Sequence, residues 1–145
     1  MNEKLELYKH IYKDAEMSCY TLKKLEKDLK EKDNKIKSIL EDIKKGYESY
    51  KRKSKELIKK NKGIIEKNSL MGKVMAGMSI KKEVISDNSD SSMSDLLIQG
   101  ISMGTINMEK KIKDYENIVD SEELNFAKEF LSFQTNMIEK LKEYL

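Results

Sequence analysis

Three methionines, Met71, Met75 and Met78, recur at the four- and three-residue steps that place side chains on one face of a helix. Thioethers in such a row are soft ligands of the kind that hold Cu(I), but no Cys or His stands beside them. Asp87, Asn88 and Asp90 offer oxygens to calcium, without the glycine or the distant glutamate of an EF-hand loop. The single cysteine, Cys19, falls between Ala15 and Leu22 on an apolar row. With no histidine on that face to activate it, it reads as a small buried hydrophobe. The single histidine, His10, is two residues from both Tyr8 and Tyr12 of that row and is expected to point to solvent. There is no P-loop, no Gly-x-Gly-x-x-Gly and no Cys-x-x-Cys pair. No catalytic residue, cofactor or metal ligand is therefore assigned, and a non-enzymatic role is expected.

The elements that carry these residues follow from apolar periodicity. Leu5, Tyr8, Tyr12, Ala15, Cys19, Leu22 and Leu29 form a stripe broken only by Glu26, which predicts a helix over about 3–31. Ile36, Leu40, Ile43, Tyr47, Tyr50, Ser54, Leu57 and Asn61 predict a second over 35–61. Met93, Leu97, Gly100, Gly104, Met108, Ile112 and Tyr115 predict a third over 92–118. Leu124, Ala127, Phe130, Gln134, Met137, Leu141 and Tyr144 predict a fourth over 121–145, with Asp120 and Glu123 spaced as a capping box. No proline interrupts them and no segment alternates with period two, so an all-α single domain is expected. Segment 62–91, which carries the Met row on a short helix, is too long for a simple turn. It is long enough to run the length of a four-helix bundle, the single crossover of the ferritin topology, although two dimerising coiled-coil hairpins would also satisfy the pattern.

The second half of the chain is similar to small ferritin-like bundle proteins of clostridia and related bacteria. The residues that carry the resemblance are "DNSDS" (87–91), "LLIQGISMG" (96–104) and the ending "IEKLKEYL". A composition rich in Lys, Ile and Asn with one arginine, Arg52, agrees with an AT-rich bacterial genome. The resemblance implies a ferritin-like four-helix bundle over the whole chain, with a long connection between helices 2 and 3. It does not imply iron chemistry. A di-iron bundle needs inward carboxylates on all four helices and Glu-x-x-His on two. Here there is no Glu-x-x-His, and Glu16, Glu41, Glu48 and Glu129 each stand one step off an apolar stripe, which reads as solvated.

Gly100 and Gly104 share the inward stripe of the third predicted helix. Each costs roughly 1 kcal/mol of helix propensity relative to Ala, so close helix packing is expected at both, with Phe126, Phe130 and Phe133 as candidate neighbours and a small ligand as the sharper alternative. Met71, Met75 and Met78 are expected to face down onto the bundle. An interaction surface for a protein partner, or for a membrane, is the alternative. Residues 1–62 carry 19 basic and 12 acidic side chains, whereas the remainder is acidic. The basic run Lys51–Lys62 is almost all lysine, which argues against bidentate nucleic-acid contacts. It reads as a solvated face partly matched by the acidic end of the third helix. No apolar run reaches the roughly 20 residues that span a bilayer, and one cysteine fits a reducing, cytoplasmic compartment. The expectation is a non-enzymatic protein acting through an unknown protein partner or self-association. A degenerate metal site, or a peripheral membrane role for the Met segment, stands as the alternative; nucleic acid is not expected.

Overall fold

The computed structural model describes residues 3–145. They form α1 (Glu3–Asp28), α2 (Lys37–Lys60), α3 (Leu70–Ser86), α4 (Asp90–Tyr115) and α5 (Ser121–Leu141), followed by a single 3₁₀ turn, with no strand among the described residues. The fold class is all-α, a helical bundle. The predicted stripes of α1, α2 and α5 are the buried ones: Tyr8, Tyr12, Ala15 and Cys19, then Leu40, Ile43 and Tyr47, then Ala127, Phe130 and Leu141 are each almost wholly excluded from solvent.

The helix directions follow from which residues meet. α1 and α2 form an antiparallel hairpin whose turn is plugged by the fully buried Leu29 and Ile36. The chain leaves α2 beside the start of α1, where Gly63 lies against Leu5. It then runs back along α1: Glu66 meets Lys9, Asn68 meets Lys13 and Glu16, and Gly77 lies by Tyr20 and Lys24. The connection thus spans the length of the bundle, and most of it is the 17-residue α3, longer than the expected short helix. At the far end, Asp90 accepts from the Lys35 and Ile36 amides and from Asn34 Nδ2. That fastens the start of α4 to the start of α2, so the two helices run in the same direction. Asp87 accepts from the Ser89 amide. The side-chain oxygens of Asp87 and Asp90 are thus engaged in joining loops.

One helix end departs from expectation, and another closes in an uncommon way. Asp120 makes no side-chain cap on α5, and Glu123 is not its reciprocal partner. Glu123 is 2% exposed and reaches across to Lys4 at 3.1 Å instead. A buried carboxylate gains more from a cation than from one backbone amide. At the end of α2, Lys62 adopts a positive φ of 61° while Gly63 does not. The Gly63 amide donates to Ile58 O and the Lys62 amide to Lys59 O, the paired bonds of a Schellman terminus. Glycine stands one place later than usual because a Cβ at residue 63 would lie 2.6 Å from Leu5 Cδ2.

Candidate functional site

α1 has a second inward row besides its aromatic stripe. Leu7, Ile11, Asp14, Ser18 and Leu25 lie within a narrow arc at 100° per residue. Leu7, Ile11 and Leu25 are buried, and Asp14 and Ser18 stand among them. This second row exists because α3, α4 and α5 all pack on α1 in addition to α2. Ser18 Oγ donates to Asp14 Oδ1 at 3.1 Å. Gln134 Nε2 donates to Asp14 Oδ2 at 2.9 Å and to Tyr47 Oη at 3.2 Å. Four residues from three helices thus form one polar cluster inside an apolar bundle.

Above this cluster lies a cavity of about 320 Å³. Its floor includes Asp14, Ser18 and Tyr47; Leu22 and Leu25 come from α1, Ala76 and Ile80 from α3, and Leu97, Gly100 and Ile101 from α4. α3 and α4 both rest on α1 but leave this gap between them. Asp14 as a residue is half-buried, its remaining exposure directed into the cavity. Burial pushes its carboxyl above the usual range, only partly offset by the Gln134 and Ser18 hydrogen bonds. Burial, and then the nearby Asp14 charge, pushes the Tyr47 phenol upward as well. The buried Gln134 Oε1 has no hydrogen-bond partner in the protein.

The two glycines of α4 separate. A Cβ on Gly104 would lie 2.7 Å from Gln134 Nε2 and 2.9 Å from Asp14 Oδ2, so the neighbours that approach it are polar side-chain ends. At Gly100 nothing lies within 4 Å of an added Cβ, and close packing there is corrected to open space. Ile101 takes the inward place instead, at 7% exposure. The expected aromatic neighbours sit elsewhere. Phe133 packs over Gly46 of α2, where a Cβ would fall 2.1 Å from Phe133 Cε1. Phe130 lies between Tyr47 and Tyr50, at centroid distances of 6.0 Å and 5.1 Å.

The methionines also depart from expectation. Met71, Met75 and Met78 are 69%, 63% and 66% exposed and face outward, not down onto the bundle. α3 lies on α1 through Gly77, Ile80 and Val84, the buried residues of that helix. The small Gly77 allows close approach to Tyr20 and Lys24, and the bulkier thioethers are left on the opposite arc. The start of α3 is anchored by Glu16, which is buried rather than solvated. It accepts from the Asn68 backbone and side chain at 2.9 Å each and pairs with Lys73. Burial would raise its carboxyl, but those contacts prevail and hold it below the ordinary range.

His10 is likewise half-buried rather than solvent-directed, close to Lys9, Lys13, Glu66 and Lys111. Burial and then the Lys111 charge lower its pKa. Cys19 is buried, as its row predicts, and burial raises its thiol. Among the described residues no ion pair joins the Lys51–Lys62 run to the acidic end of α4, and no group of three or more His, Cys, Asp or Glu is arranged to hold a metal ion. No helix among them is long and apolar enough to cross a membrane.

Asp14 and Ser18 escaped the periodicity reading because a polar residue one step from a stripe normally faces water. The signal that could have found them is the four-residue step from Asp14 to Ser18, in line with Leu7, Ile11 and Leu25. No family model, curated protein or solved structure matches the chain.

Proposed function

We propose that this is a non-enzymatic protein of ferritin-like topology that acts by binding another protein through the outward arc of α3. The parallel course of α2 and α4, with the connection spanning the bundle between them, supports the topology. The observation that carries the binding role is the apolar ridge itself: Leu70, Met71, Val74, Met75 and Met78 all stand exposed on one arc, and Ile85 extends it. Contiguous exposed apolar surface of this kind marks interaction sites, and methionine adapts its shape to an apolar partner. The exposed Lys81 and Lys82 lie on the same arc, with no acidic residue among them. The partner that fits is an amphipathic helix whose apolar residues are flanked by Asp or Glu.

A photo-crosslinking residue at Met75, introduced in cells that make the protein, tests this. The expected adduct joins the chain to an apolar–acidic helical segment of another protein and is lost when Met71 and Met78 are both changed to Ser. A synthetic peptide of that segment should bind the purified protein at least fivefold more weakly after Lys81→Glu with Lys82→Glu. An adduct between two 16.9 kDa copies, adducts to lipid alone, or no adduct would overturn the reading.

A further inference from the structure

We infer that the cavity between α1, α3 and α4 binds a small apolar amine, its ammonium group held by Asp14. This goes beyond the outward arc of α3, because the cavity is walled by the opposite, inward arc of the same helix.

Among the described residues two carboxylates are buried in the bundle, Glu16 and Glu123, and a third, Asp14, is half-buried; the three are neutralised differently. Glu16, 5% exposed, has Lys73, and Glu123, 2% exposed, has Lys4. Asp14 alone of these three has no cation: its oxygens meet only the Ser18 hydroxyl and the Gln134 amide. A carboxylate half withdrawn from water, with neutral donors only, is electrostatically incomplete. Asp14 is also the one of the three that lines an open cavity. An ammonium entering there would complete the pairing that Lys73 and Lys4 complete elsewhere.

The rest of the cavity specifies what the ammonium is attached to. Apart from its polar floor the lining is largely aliphatic, with Leu22, Leu25, Ile80, Leu97 and Ile101 available to an apolar body. A volume of about 320 Å³ is at the small end of ligand sites, roughly 300–1,000 Å³. Space is kept by Gly100, where a side chain would project into nothing, and by Ala76 and Ser79 opposite. Asp14 is held in place beforehand, since Gln134 spends its amide hydrogens on Asp14 and Tyr47, and Gly104 leaves room for both Gln134 and Asp14. A neutral molecule of the same shape would bury the same apolar area but leave the carboxylate unpaired, and an anion would be repelled.

The test compares 2-phenylethylamine with its neutral counterpart, 2-phenylethanol, by titration of the full chain followed by calorimetry and backbone amide NMR. The amine is expected to bind at least tenfold more tightly and to shift resonances on α1, α3 and α4 around the cavity. Asp14→Asn keeps the hydrogen bonds to Ser18 and Gln134 within reach, so the fold should persist. This variant should lose the tenfold preference while retaining the weaker binding of the alcohol. Gly100→Leu, which fills the space without touching Asp14, should abolish binding of both. Equal affinity for amine and alcohol in the unaltered protein, absence of binding at millimolar concentration, or amine binding that survives Gly100→Leu would overturn the inference.

Discussion

The seam between α2 and α5 and the groove between α3 and α4 both contain a helical glycine, and they use it in opposite ways. At the seam, Gly46 is covered by the ring of Phe133, which also packs edge-on to Tyr47 at a centroid distance of 5.0 Å. Tyr50, Phe126 and Phe130 extend the same aromatic contact. In the groove, Gly100 faces a cavity. The difference lies in the facing element. α5 presents large aromatic rings that reach across to α2, whereas the inward face of α3 above Gly100 offers Ala76 and Ser79. A glycine in an amphipathic helix removes volume; whether a neighbour fills that volume is decided by the neighbour.

The comparison is sharpened by adding one methyl group at three places. Gly46→Ala should have the largest effect. The methyl would enter the Phe133 ring and force it from the Tyr47 and Tyr50 contacts, costing about 2 kcal/mol after the gain in helix propensity. Urea denaturation would measure it, and an unchanged or raised midpoint would mean that the ring swings outward freely and the seam is not tight.

Gly104→Ala is expected to cost somewhat less, about 1–2 kcal/mol, because it displaces polar side-chain ends and not a ring. The methyl would meet Gln134 Nε2 and Asp14 Oδ2, breaking a hydrogen-bond cluster in which the buried Gln134 amide cannot turn to water. The same denaturation experiment reads the loss, and the Gln134 side-chain amide resonances should move with it. An intact amide signal together with unchanged stability would remove the cluster from the account of this region.

Gly100→Ala should have the smallest effect and the opposite sign. No atom lies within 4 Å of the added Cβ, so the helix propensity gain of up to about 1 kcal/mol is unopposed. A fall in the urea midpoint would show that α3 closes over Gly100 in solution, and the contrast with Gly46 would disappear.

The elements themselves were legible in the amino-acid sequence. The apolar stripes of α2 and α5 are those the three- and four-residue steps predict, because burial on each follows period 3.6 directly; on α1 the predicted stripe is buried too, as one of two inward rows. The Schellman end of α2 and the start of α5 were less so, since Gly63 and Glu123 answer to Leu5 and Lys4 on α1 rather than to their own helices.

The tertiary structure alone decided the roles of α1 and α3. Residues 70–86 contain apolar side chains on most of their circumference, so periodicity has no single direction to report, and only the close seating of Gly77 on α1 puts Met71, Met75 and Met78 outward. The same seating encloses a second face of α1. Asp14, a surface residue by pattern, becomes a half-buried carboxylate lining a cavity because a helix more than fifty residues later in the chain is laid beside it. Burial of a polar residue depends on what packs over it, and the order of residues within its own helix carries no record of that.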